Sequence, residues 1–268
     1  MTFPKCANAP RSSVMQTSTL SKSLLVEPER HPLRPIAAAA SLGSTIVFSP
    51  HPDDESLGCG GLLALVTSAG FPAQVVMMTD GSRSHPNSRT HPSARLAAVR
   101  EQETLDAVHA LGLSPQAVHF LRYRDCGLPT PRTPAFAGAT AHLAALIHKV
   151  RPDTLLVPWR RDPHCDHAGT WHLLRATFAG LKDRPRWLEY PVWAWPQAET
   201  KLAPHDEEAS AWRLDISSVL SRKQQAIAQH RSQMGALIHD DPGGFVLEPE
   251  MLTYFAQPWE LFIEPIDV

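Results

Sequence analysis

Between residues 44 and 180, short apolar runs alternate with segments of helical periodicity. "STIVFS" (44–49), "AQVVMMT" (73–79), "AVHFLR" (117–122) and "DTLLVP" (153–158) read as buried strands. The segments 58–69, 94–111, 136–150 and 164–180 read as the helices between and after them, with Gly70 and Gly112 as stops and Pro152 just past the third. This alternation predicts an α/β fold with a mainly parallel sheet. The last third adds further strands, "RWLEYPVWAW" (186–195), "AWRLDI" (211–216) and "PWELFIEP" (258–265), and a helix over 217–234. A hydrophobic content of 43% over 268 residues is sized for one domain. The expected boundaries are an extended or poorly ordered arm at 1–40 and a single domain at 41–268, with the Pro- and acid-rich stretch 196–209 on its surface.

Composition narrows the function. The formal net charge is -2 and the pI about 6.7, which gives no support for a nucleic-acid or anionic-membrane partner. No apolar run approaches the roughly 18 residues of a membrane span, and the Ser-, Pro- and Arg-rich start lacks the apolar core of a secretory signal. Cys6, Cys59, Cys126 and Cys165 form no C-x-x-C pair and read as reduced thiols. A cytoplasmic protein is expected.

Chemistry concentrates in two loops. "SPHPDDESLGCGG" (49–61) follows the first expected strand, and "PWRRDPHCDHAGTW" (158–171) follows the fourth. Ligands of an open parallel sheet sit beyond the carboxyl ends of its strands, so both loops should face one crevice. Asp53, Asp54 and Glu55 beside His51 repel one another unless something positive compensates. His164 and His167 are three apart at a helix start, on one face. His51, Asp54 and His167 together offer two imidazoles and a carboxylate, a common donor set for hydrolytic zinc, and a cation there lets the carboxylates stay ionised. Asp53 is then free to take a proton from water, and His164 to stabilise an oxyanion or protonate a leaving amine.

"SPHPDDESLGCGG" together with "DPHCDHAG" resembles the PIG-L (LmbE-like) family of zinc-dependent N-acetylglucosaminyl deacetylases. "MMTDGSR" (77–83), "VREQETLDAVHALGL" (99–113), "YRDCGLP" (123–129) and "KQQAIAQHRSQM" (223–234) resemble further family segments in the same order, with Cys126 where serine is usual. The resemblance implies a Rossmann-like three-layer fold and hydrolysis of an N-acetyl group from a glucosamine unit. It implies metal ligands His51, Asp54 and His167, a general base at Asp53, a second catalytic histidine at His164, and Asp166 orienting that histidine. It also implies that Arg100 and Asp125 hold the sugar. Zinc is the expected cofactor, with another divalent metal such as Fe2+ as the alternative. The expected partner is a small-molecule amino-sugar conjugate, and a homo-oligomer is compatible with the N-terminal arm. A deacylase of longer acyl chains and a nucleotide-binding module are the competing readings.

The bland readings are as definite. Glu55 is expected to bond loop backbone or orient His51. Cys59 and Cys165 read as small hydrophobes, and Gly58, Gly60 and Gly61 as close helix–strand packing. Arg83, Arg160 and Arg161 hint at an acidic substituent on the substrate, and His230 has only its place in the late helix.

Overall fold

A computed structural model of the chain describes residues 22–268. Eight strands form one sheet: β1 (Leu33–Arg34), β2 (Thr45–Ser49), β3 (Ala73–Thr79), β4 (Val118–Tyr123), β5 (Thr154–Pro158), β6 (Arg186–Tyr190), β7 (Ala209–Asp215) and β8 (Trp259–Pro265). Their order is β1-β7-β8-β6-β5-β2-β3-β4. From β6 through β5, β2 and β3 to β4 every pairing is parallel, whereas β8 runs antiparallel to both β6 and β7. The expected α/β class with additional C-terminal strands is what the chain adopts.

The strands alternate between two cores, as a period of two requires. Val47, Val75, Met77 and Leu156 face α1 (Asp54–Ser68), α2 (Ser93–Ala110) and α5 (Leu220–Gln229). Ile46, Phe48, Val76, Leu155 and Val157 face α3 (Pro134–Val150) and α4 (Cys165–Ala179). This is a three-layer sandwich. Strand β2 lies between β3 and β5, and the chain steps outward from it in opposite directions on its two sides. That reversal is the topological switch point, where the loops after β2 and β5 diverge and leave a crevice.

Several expected bounds move, each for a physical reason. The strand expected over 186–195 ends at Tyr190: Pro191 has no amide hydrogen, and the amides of Val192, Trp193 and Ala194 all donate to Asp162 Oδ2 at 2.9, 2.8 and 3.2 Å. The helix expected over 217–234 is a 3-10 turn, Ser217–Val219, followed by α5, which stops at Gln229. Beyond it the chain is held by side chains, with the Ser232 amide and hydroxyl donating to Glu103 at 2.7 and 2.6 Å. A seven-residue helix, α6 (Pro249–Phe255), carries too little periodicity to be read from sequence. Of the expected N-terminal arm, residues 1–21 lie outside the described residues. Residues 22–42 lie against the domain: Leu24, Leu25, Ala39 and Leu42 are buried in its core, and β1 pairs with β7.

The glycines after the acid-rich loop serve packing. A Cβ on Gly58 would strike the Tyr190 ring, whose hydroxyl donates to Phe48 O at 2.7 Å, and one on Gly61 would come within 2.6 Å of Ile216. Gly58→Ala should therefore lower unfolding free energy by about 1–3 kcal/mol, read from the denaturant midpoint at unchanged slope.

Candidate active site and metal centre

The loop after β2 enters α1 earlier than the sequence suggests, at Asp54, so Asp54 and Glu55 occupy the first helical turn, where free amides favour negative charge. Asp53 precedes the helix with φ 139° and ψ −31°, a backbone conformation that non-glycine residues rarely adopt and that is held only where the surroundings dictate it. Its amide donates to Glu55 Oε2 at 3.1 Å. The loop after β5 delivers His164 as the cap of α4, its Nδ1 accepting the Asp166 amide at 3.2 Å. His167 lies one turn further on and is fully buried.

These loops bring His51, Asp54 and His167 together. Asp54 Oδ2 lies 3.2 Å from His51 Nδ1 and 3.1 Å from His167 Nε2, and it accepts the His51 amide at 2.9 Å. Two donors on one tetrahedral zinc, with bonds of about 2 Å, stand roughly 3.3 Å apart, so the spacing suits a shared cation. His167 supplies a second observation. Its nitrogens lie near Asp54 and near Asp162 Oδ1, the latter at 3.3 Å, yet neither makes an aligned hydrogen bond. A buried imidazole without aligned partners is costly, and a metal on Nε2 would satisfy it. The His164 ring closes another side, its centroid 4.4 Å from that of His51 and 5.5 Å from that of His167. The residues present fit a divalent metal.

Each of the crowded carboxylates has a separate partner. Asp53 Oδ2 accepts from Arg100 Nη2 at 3.1 Å. Glu55 Oε1 faces His230 Nε2 at 3.1 Å and also accepts from the Ser56 hydroxyl. Asp54 is left to the two histidines. Burial pushes the Asp53 carboxyl up to about 7 despite the Arg100 guanidinium. Burial would also raise Asp54, but His167 and His51 hold it well below the carboxylate range. Burial opposes charge on His167, and the carboxylates of Asp54 and Asp162 outweigh it, raising the ring to about 9. His164 is driven the other way, to about 3, by burial and by the two neighbouring imidazoles.

Asp166, Glu55, Arg100 and Asp125 are all buried, in partly different arrangements from those expected. Asp166, expected to orient His164, turns its carboxylate to His51 Nε2 at 3.0 Å and to the Cys126 amide at 2.7 Å, and meets His164 only through its backbone. Glu55 bonds loop backbone as expected but partners His230, not His51. Arg100 is buried against the loop, its guanidinium donating to Pro52 O, Gly81 O and Asp53. Asp125 accepts the Arg83 amide at 3.0 Å and lies 3.9 Å from His51 Nε2. A cavity of about 230 Å³ opens on His51, Asp53, Asp54, Arg100, Asp125 and His164. Arg160 and Arg161 are not at its mouth; both are tied to Glu208.

Two buried residues escaped the sequence reading. Asp162 joins His167 to the 192–194 turn, and His230 partners Glu55. Each had an available signal: a ligating imidazole needs an acceptor on its other nitrogen, and a buried glutamate needs a cation.

The model of the PIG-L family, described as GlcNAc-PI de-N-acetylase, matches residues 46–178, a span holding both loops. The chain belongs to the PIG-L (LmbE-like) family. Among its relatives, the diacetylchitobiose deacetylase of Thermococcus kodakarensis is 27% identical over 70% of this chain and 69% of its own length. A probable N-acetyl-alpha-D-glucosaminyl L-malate deacetylase 2 of Bacillus cereus is 25% identical over 73% of this chain and 86% of its own. In structure, the N,N'-diacetylchitobiose deacetylase of Pyrococcus horikoshii superposes with a TM-score of 0.57 at 24% identity, over 78% of this chain and 73% of that one, and so shares the fold. Among the described residues of this PIG-L chain, no helix is long and apolar enough to cross a membrane.

Removing the acceptor behind a ligating histidine typically lowers metal affinity about 10–100-fold. Asp162→Ala should do so here, measured by competition with a chromophoric chelator. Unchanged affinity would mean that His167 needs no support from Asp162.

Proposed function

We propose that this chain is a metal-dependent hydrolase that removes the N-acetyl group from an N-acetylglucosamine-containing small molecule and releases acetate. One observation carries the reading. The same cavity is walled by the His51–Asp54 donor set, by a buried carboxylate not engaged with either histidine ligand, Asp53, and by a second histidine, His164. Relatives named as deacetylases of N-acetylated sugars support the substrate class.

His51, Asp54 and His167 would hold the metal, zinc in our reading and Fe2+ as the alternative. When bound, it supplies Lewis acidity toward the amide carbonyl and toward water. Asp53 takes the proton of the attacking water; its upward shift to about 7 suits a base that must later return that proton. Arg100 fixes the Asp53 carboxylate and tempers that shift. Because His164 Nδ1 accepts the Asp166 amide, the proton of the neutral ring sits on Nε2. His164 thus hydrogen-bonds the oxyanion as a neutral donor, and protonated Asp53 delivers the proton to the leaving amine. Asp125, at the cavity wall, positions the sugar.

A second reading, a longer acyl chain, is favoured by one feature. Trp193 and Phe245, in edge-to-face contact at 5.5 Å, border both the catalytic cavity and an adjoining groove of about 310 Å³ walled by Pro196, Met251 and Tyr254. That groove would take an acyl tail or the group attached to the sugar.

Acetate release by the zinc-reconstituted protein, over free N-acetylglucosamine, short oligomers, and inositol-, nucleotide- and malate-linked conjugates, tests the proposal. One conjugate should release acetate, and Asp53→Asn should keep its metal while losing on the order of 10²-fold or more in rate. Full activity in Asp53→Asn would remove the base assignment. Release only from longer N-acyl analogues would select the second reading.

A further inference from the structure

Cys126 and Cys165 come from separate loops and meet beside His164. Cys126 follows β4; Cys165 is the first residue of α4, immediately after His164. The two sulfurs and a His164 ring nitrogen all lie within 4.8 Å of one another. Cys126 is held in left-handed backbone, φ 56°, its amide anchored on Asp166 Oδ2 at 2.7 Å and the following Gly127 amide on Arg124 O at 2.8 Å. Such a conformation in a non-glycine residue is sustained by its surroundings, and here it places the thiol at the cavity wall. Cys165 is exposed, whereas Cys59 is fully buried in the core.

We infer that Cys126, Cys165 and His164 form a second cation site, distinct from the His51–Asp54–His167 donor set and selective for thiophilic ions such as Zn2+, Cd2+ or Cu+. The donor chemistry separates the sites. Two thiolates and an imidazole are softer than two imidazoles and a carboxylate, and soft ligands favour thiophilic metals. The spread of the donors is compatible with bonds of about 2.3 Å to sulfur and 2.0–2.1 Å to nitrogen. Binding releases the two thiol protons to solvent, and the His164 lone pair becomes available only when the ring gives up the hydrogen bond that Nδ1 accepts from the Asp166 amide. On the deacetylase reading, an ion here occupies His164 and inhibits the reaction, so the site would make the enzyme sensitive to excess thiophilic metal.

The test is Cd2+ titration of protein already loaded with one equivalent of zinc, followed by the ultraviolet thiolate-to-cadmium charge-transfer band. One further equivalent should saturate the band in the unaltered chain. Cys126→Ser and Cys165→Ser should each abolish it, and Cys6→Ser should leave it intact. A band that survives in Cys165→Ser, no band in the unaltered chain, or thiol titration showing Cys126 and Cys165 already joined would each overturn the inference. In the acetate assay, Cys165→Ser should keep basal activity and lose the inhibition by excess Cd2+. The spectroscopic arm does not depend on turnover, so a chain that releases no acetate yet shows the band would sink the deacetylase reading and leave this site standing.

Discussion

The site depends on one oxygen. Asp54 Oδ2 stands between His51 and His167, within about one hydrogen-bond length of a nitrogen on each. The two histidines stand 116 residues apart in the chain, in loops that leave neighbouring parallel strands. Their meeting therefore rests on the pairing of β2 with β5 and on the chain stepping away from β2 in opposite directions on either side. The fold's switch point and the donor set are the same place. Burial makes the arrangement demanding: charged groups withdrawn from water must be paired, and Asp54 is met by the two imidazoles and the His51 amide.

Crowding Asp53, Asp54 and Glu55 is tolerable because each carboxylate is compensated differently. Arg100 from α2 reaches Asp53, His230 beyond α5 reaches Glu55, and His51 and His167 flank Asp54. Three elements distant in sequence thus converge on one helix start. The division also separates roles. A carboxylate flanked by two histidines is kept ionised and suited to coordination, while one beside a single arginine in a buried cavity is pushed up to about 7 and suited to carry a proton. The sequence reading assigns the compensation to a bound cation; the fold adds Arg100 beside Asp53 and His230 beside Glu55.

Local chemistry was readable in the sequence, and long-range contact was not. The strands 73–79 and 44–49 and the two loops behind β2 and β5 could be placed because apolar runs and His-acid spacing are local signals. The end of β6 could not, because Asp162, far away in sequence, takes the amides of 192–194. The end of α5 could not, because His230 leaves the helix to meet Glu55. Arg100 reads as a sugar contact by resemblance, and in the fold it lines the cavity while also donating to Asp53 and loop carbonyls, partners the sequence does not reveal. Asp166 reads as the support of His164, and in the fold its carboxylate turns to His51. In both cases the residue type and the neighbourhood were legible while the partner, which depends on packing, was not. The glycines after the loop are the converse case, a suggestive pattern whose bland reading is what the Tyr190 and Ile216 contacts support.

The residues of the buried donor set at the β2–β5 switch point fit a divalent cation. The most direct measurement is the metal content of purified protein, together with its thermal midpoint before and after exhaustive chelation. A ligand bound only by the folded state raises stability with its concentration. One tightly held equivalent at the His51–Asp54–His167 set is expected, lost in His51→Ala, with a midpoint that falls on chelation and recovers on adding Zn2+. A chain that takes up no divalent metal at this site and melts unchanged with or without it would mean that the donor set is not a metal centre.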